Sequence, residues 1–294
     1  MESVKFSHSF KEKVEQITEI PTLPGIGRRL LELQTNEDAN IHQLIEIIEI
    51  DPILTTRLLK HANSAFYGVA RDITSLLDTI NLIGFRTALN LSLSLIVSKP
   101  FDVDLKGPIG TRTFWSQSIY SAHLMQSLAN KIPIKNKPVP EVAYLAGLLH
   151  NFGIILLGHT FPLDFNAINK ILSSDKSETL CHVEKTLIEV HHYELGVWLM
   201  RKWRMPKEIM YAAYAHHNED YKGVYWEYAN LALIADRALR KINVGDGDSD
   251  ELPQRAMNNL KLTHEGVKLS IDELKKEQKK LDSMIESVLD SDCN

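Results

Sequence analysis

The chain has 294 residues, of which 44% are hydrophobic and 24% charged, the balance of a folded globular protein rather than a disordered one. Its formal net charge is −5, which supplies no general basic face for a phosphate backbone, so no nucleic-acid partner is expected on electrostatic grounds. The two cysteines, Cys181 and Cys293, form neither a disulfide framework nor a zinc-ligand spacing, so a reducing, cytoplasmic compartment is expected.

Met1 to Lys13 has no apolar signal-peptide core. Asn40 and Gln43 make a capping box before the stripe Ile41, Leu44, Ile45 and Ile48. Asp51 followed by Pro52 opens a second helix through Leu54, Leu58 and Ala62, stopped by Gly68. Ser75 with Asp78 caps a third, over Leu76 to Ile83, broken at Gly84. A fourth runs from Arg86 to Ser98, before Pro100. Residues 101–110, with Asp102, Asp104, Gly107, Pro108 and Gly110, read as a linker.

A longer helix is predicted from Thr113 to Lys131. Others follow at Glu141–His150, Leu163–Leu172, Leu180–Val190, Glu194–Trp203, Lys207–His217 and Trp226–Lys241. The densest apolar runs, Leu89–Val97 and Ala143–Leu157, are too short or too interrupted to span a bilayer, so no membrane partner is expected. Val244–Glu251 reads as a loop. Ser270 opens a last helix to Leu289, with Ile271, Leu274, Leu281, Ile285 and Val288 as its seam and Lys275–Lys280 as a solvated face.

Three stretches carry a resemblance. The first is Asp51-Pro52 through Asn63-Ser64-Ala65-Phe66-Tyr67-Gly68, continuing to Ile80-Asn81-Leu82-Ile83-Gly84. The second is Ala143-Tyr144-Leu145-Ala146-Gly147-Leu148-Leu149-His150-Asn151-Phe152-Gly153. The third is His192, Gly196, Leu199, Trp203 and Pro206, followed by His216-His217. Together they resemble the HDOD family of bacterial signalling modules, whose helical second half is similar to the HD and HD-GYP metal phosphohydrolases. The resemblance implies an all-α, two-lobed fold: an N-terminal lobe over 1–106, a degenerate HD-like lobe over 107–243 and a C-terminal loop and helix over 244–294. It also implies a regulatory role through signalling-protein partners; it leaves the oligomeric state open.

Carried over position by position, the superfamily's metal ligands fall on Gln117 (for the first His), His150 and Asn151 (for the His-Asp doublet) and Asp236 (for the late Asp). The extra histidines fall on His192, His216 and His217. A hydrolytic cation needs neutral imidazoles and ionised carboxylates to acidify water. Amides at 117 and 151 remove two of four primary donors, so a non-catalytic pseudoenzyme is expected, with no required cofactor. His150, His192, His216, His217 and Asp236 could still hold a residual divalent ion, or be buried polar residues bonded to one another. The turn Asn63, Ser64, Phe66 and Tyr67 is either a satisfied structural turn or an interaction surface. Trp115, Trp198 and Trp203 are expected in the core, and His191 toward solvent.

Two competing readings remain open on the sequence. One is a working HD-type phosphohydrolase or phosphodiesterase. The other is a DNA-binding regulator, in which Ile41–Ile50, Asp51-Pro52 and Ile53–Asn63 mimic a helix-turn-helix carrying Arg57, Lys60 and His61.

Overall fold

The computed structural model describes residues 6, 8–15, 17, 21–64, 66–70, 72–101, 105–135, 137–244, 249 and 251–289, and among them the regular structure is entirely α-helical. The helices are α1 (His8–Glu15), α2 (Gly25–Thr35), α3 (Ile41–Ile48), α4 (Pro52–Ala62), α5 (Leu76–Ile83), α6 (Phe85–Ser98), α7 (Thr111–Lys131) and α8 (Pro140–Leu149). They continue with α9 (Phe152–Thr160), α10 (Pro162–Ser174), α11 (Leu180–Leu187), α12 (His192–Lys202), α13 (Lys207–Ala215), α14 (Trp226–Arg240), α15 (Gln254–Leu260) and α16 (His264–Leu289).

The described residues group into two compact units. One comprises those of 22–100 and 273–294; the other comprises those of 1–21 and 101–272. The lobe boundaries that the family resemblance implies, at 106 and 243, are drawn along the chain in sequence order. The units follow packing, and α16 is shared between them at residue 272.

In the first unit, short-range polar chemistry sets the helix starts. Asn40 Oδ1 accepts from the backbone N–H groups of His42 (3.0 Å) and Gln43 (3.2 Å), while Gln43 Oε1 accepts from Asn40 N–H (3.0 Å). This reciprocal pairing satisfies donors that the first helical turn leaves open. Asp51 Oδ1 does the same for α4 at Ile53 N (3.0 Å) and Leu54 N (3.2 Å). Gly84, at φ 89°, turns the chain between α5 and α6 in a conformation that penalises any side chain. Helix α6 is buried from Ala88 to Val97, and α2, α3, α4 and α5 pack on it.

In the second unit, α7 and α8 lie along each other, α14 packs on both, and α13 joins α8, α12 and α14. Gly147 on α8 permits the closest approach, since a Cβ there would stand 2.6 Å from the Ala122 backbone on α7. Helix α9 crosses α12 where Gly153 faces the carbonyl of His192 and the N–H of Gly196. Phe101, Phe152 and Trp203 form an aromatic cluster beside this crossing, with ring centroids 5.3–6.0 Å apart.

The structure corrects several expectations. Helix α2 forms where the sequence predicts no element, and it buries Leu30 and Leu33. The apolar run Ala143–Leu157 contains two helices, because the chain breaks at His150–Asn151; α9 is buried from Phe152 to Gly158 and shows no one-sided periodicity. Helices α1 and α15 are likewise additions to the predicted set, and α16 starts at His264, not Ser270. Trp115 and Trp203 are buried as expected, while Trp198 is half-buried with Lys202 near its ring. Lys275–Lys279 are exposed, in keeping with a solvated face. Asp102, Asp104, Cys293 and most of the 244–251 loop lie outside the described residues.

Pro140–Thr160 is long and apolar enough to cross a membrane by composition, yet 89% of that window is buried within the protein. Such a helix pair meets the description of a hydrophobic core.

Candidate functional site

The α8–α9 junction sets the site. Helix α8 ends as His150 leaves it and α9 begins after Asn151, with no residue between. Both side chains are buried, at 2% and 0% exposure, and Asn151 meets Gln117 of α7, itself 3% exposed. Asn151 Nδ2 donates to Gln117 Oε1 at 3.3 Å. A carboxamide is neutral and supplies both a donor and an acceptor, so this pair needs no counter-ion.

Beside Asn151 in the chain, His150 belongs to a group of three buried histidines, each with one ring nitrogen already committed. His150 Nδ1 lies 2.9 Å from the Gly147 carbonyl and His216 Nδ1 2.7 Å from the Ala213 carbonyl. His192 Nδ1 lies 3.0 Å from Glu184 Oε2 and 3.1 Å from Oε1. Since a carbonyl or carboxylate can only accept, Nδ1 is the donor in each of these contacts, and the backbone and Glu184 leave Nε2 of each ring to face the cluster. The Nε2 atoms of His192 and His216 face each other at 3.4 Å. The His150 and His216 rings meet edge to face at 5.1 Å, and His217 stacks obliquely on His216 at 4.0 Å.

Burial, followed by the charges of His217, His150 and His192, holds His216 well below its ordinary basicity. Glu184 is fully buried; that burial pushes its carboxyl up, but the His192 charge and the hydrogen bonds from His191 and His192 outweigh it and keep the group below its ordinary value. A buried ionised carboxylate is tolerated because these neighbours compensate it.

The structure thus brings together Gln117 with Asn151, and His150, His192, His216 and His217 with one another. Asp236 is buried on α14, at 2% exposure. His191 departs from its expected place: it precedes α12 rather than lying within it, so helical geometry does not turn it away. It is 17% exposed, stacks on Tyr193 at 4.7 Å and reaches Glu184 Oε2 at 3.4 Å.

Two residues that the sequence does not single out join this region. Glu184 and Cys181, one turn apart on α11, both approach the start of α12. Among the described residues, two donor groups come within 4.8 Å of one another: Cys181–His192–His217 and Cys181–Glu184–His191. Neither includes His150, His216 or Asp236. The available signal is a cysteine shortly before one histidine pair, itself followed by a second pair.

Donor chemistry decides whether the residues suit the metal that an HD centre implies. Gln117 Oε1 is spent on Asn151, and neither amide carries the negative charge that offsets a dication. These two positions do not fit that metal.

In the other unit, the Asn63 amide is satisfied by nearby backbone. Asn63 Nδ2 donates to the carbonyls of Leu59 (3.0 Å) and Ile73 (2.8 Å), and its Oδ1 accepts from Ile73 N–H (2.7 Å). Ser64 is buried, while Phe66 and Tyr67 are half-buried and pack edge to face at 4.8 Å. His61 is buried and Arg57 half-buried, so of the three basic residues on α4 only Lys60 is exposed.

Comparison with known proteins agrees with this architecture. A structure of a candidate signal transduction protein from Marinobacter aquaeolei VT8 superposes with a TM-score of 0.88 at 27% identity, covering 96% of this chain and 65% of that one. An HDOD domain protein with unknown function from Geobacter sulfurreducens gives 0.77 at 21% identity, covering 95% and 97%. A candidate phosphohydrolase from Shewanella amazonensis SB2B gives 0.69 at 20%, covering 94% and 97%. An uncharacterized Treponema pallidum protein is 24% identical over 260 residues; the match takes in 85% of this chain and 48% of the relative, so the chain spans about half that protein's length. The HDOD domain model matches residues 20–219, and the chain belongs to the HDOD domain family.

Proposed function

We propose that this chain is a non-catalytic regulatory module of signal transduction that acts by binding other signalling proteins. The observation that carries this reading is the buried Asn151–Gln117 amide pair. In an HD hydrolase these positions would supply an anionic oxygen and an imidazole to a cation. Here a neutral hydrogen bond replaces both, so a dication beside His150 would be under-neutralised and its bound water would not be acidified. The similarity to a candidate signal transduction protein supports the regulatory half of the reading. The acidic net charge and the single exposed cation among the basic residues of α4 argue against a DNA-reading helix.

The competing reading is a metal-dependent phosphohydrolase. The cluster of imidazoles that present their Nε2 atoms favours it, because such atoms are metal donors. A phosphodiesterase screen on purified protein, with manganese or nickel added and then chelated, separates the two. No chelator-sensitive turnover is expected from the natural chain. Robust turnover abolished by chelator would refute the non-catalytic reading.

A further inference from the structure

We propose that Cys181, His192 and His217 form a binding site for zinc or a similarly thiophilic divalent cation, with Glu184 holding His192 in its ligating orientation. This goes beyond the regulatory reading and stands or falls independently of it. The donor atoms come from three places, the first turn of α11, the first residue of α12 and the segment just after α13, and all lie within 4.8 Å of one another. Around tetrahedral zinc, bond lengths of about 2.0–2.3 Å put donors roughly 3–4 Å apart. Small side-chain rotations therefore close the site without moving a helix.

Glu184 supplies the part that a chance cluster lacks. It is wholly buried, and it grips His192 twice, accepting from the backbone N–H at 3.1 Å and from Nδ1 at 3.0 Å. A carboxylate behind a ligating imidazole fixes the tautomer, orients Nε2 and raises its basicity. Charge also balances. A Cys181 thiolate and the Glu184 carboxylate together offset a dication, which the amide pair at Asn151 and Gln117 cannot do. One soft sulfur and two imidazoles favour zinc over magnesium or calcium, which prefer oxygen. Cys181 is half-buried. On binding, the thiol loses its proton to buffer and the sulfur–metal bond forms.

The test uses the full chain, stripped with chelator and titrated with cobalt, then zinc. Cobalt should bring up the near-ultraviolet thiolate-to-metal band, zinc should displace it, and binding should release a proton. Cys181→Ser should abolish the band while circular dichroism remains native. Glu184→Gln should weaken cobalt binding about 10- to 100-fold, and His150→Ala should leave the band intact. If Glu184→Gln fails to fold, Cys181→Ser, a near-isosteric change at a half-buried position, still decides the matter. An absent band in the natural chain, or an unchanged spectrum and affinity in Cys181→Ser, overturns the proposal. A signal that survives Cys181→Ser but is lost in His150→Ala also overturns it, by placing the ion among the other imidazoles.

Discussion

Around Asn63, the side-chain hydrogen bonds stay within ten residues along the chain: Leu59 is four away and Ile73 ten away. Around His192 and Asn151, the partners come from farther off: Glu184 eight residues away, His216 twenty-four, and Gln117 thirty-four from Asn151. The first centres on an amide, which does not titrate, bonded to backbone, with the single imidazole of His61 beside it at 3.3 Å from the Tyr67 hydroxyl. The second gathers imidazoles and a carboxylate from separate helices. A satisfied amide turn needs nothing further, whereas a convergence of titratable groups responds to protons and cations. The family's signature motif is dense in the first region; the convergence of several titratable groups lies in the second.

The largest blow to the second region should come from Gly153→Ala. The added Cβ would run into the His192 carbonyl and crowd Gly196 N–H, both backbone, which no rotamer change relieves. Overpacking of this kind costs about 3 kcal/mol or more. We expect a large drop in unfolding midpoint by denaturant titration, and loss of any His192-dependent cobalt signal. A variant as stable as the natural chain would show that the α9–α12 crossing does not fix His192.

Acid should separate the two regions next. Burial lowers His123 to about 4, from an ordinary value of 6.5, and holds His216 well below that ordinary value too. In each case the unfolded chain takes up a proton at a pH where the folded chain does not. The sign follows: stability is intact above about pH 6.5 and is lost as pH falls toward the depressed folded values. His123 alone accounts for about 3 kcal/mol between pH 7 and pH 4, since a tenfold change in proton affinity is worth about 1.4 kcal/mol. Denaturant titrations across this range should show the loss, and His123→Gln should flatten it. Equal slopes in the two proteins would remove His123 from the account.

How much of this is legible in the sequence follows from the same contrast. The starts of α3, α4 and α5 can be read because each cap lies within three residues of its partner. Helix α9 cannot, since burial along most of its length erases the apolar stripe. Gln117 and Asn151 come to notice only through the family resemblance, and their direct pairing is a fact of α7–α8 packing. Cys181 looks inert in the sequence because the other cysteine, Cys293, is 112 positions on (293 − 181). Its near neighbours in space are histidines, and no local spacing rule encodes that. An outward His191 follows from a helix rule that does not hold at a helix boundary.

A gentler test addresses the first region. Asn63→Asp keeps the acceptor for Ile73 N–H but turns the donor side into an acceptor facing the carbonyls of Leu59 and Ile73. Two hydrogen bonds are lost and replaced by repulsion, at a cost of about 2 kcal/mol. Thermal unfolding should register this while metal binding by the other unit stays unchanged. A coupled loss of cobalt affinity would break the division of labour drawn above.

The smallest effect should come from Asp51→Ala. Burial pushes the Asp51 carboxyl up, but the hydrogen bond from Lys99 Nζ, at 2.7 Å, and the N–H groups of Leu54 and Ile53 prevail and hold it below its ordinary value of 3.8. Removing the cap costs about 1 kcal/mol, with little from the ion pair, because the Lys99 side chain is 48% exposed and screened. For a carboxyl with a lowered folded value, the stabilisation is complete above about pH 4 and disappears as pH falls through that lowered value. The Asp51→Ala deficit should therefore stay constant from pH 7 to pH 5 and shrink only in stronger acid, below the window in which the histidines act. A deficit that narrows between pH 6.5 and 5 would tie Asp51 to an imidazole, and the two polar interiors would then not titrate independently.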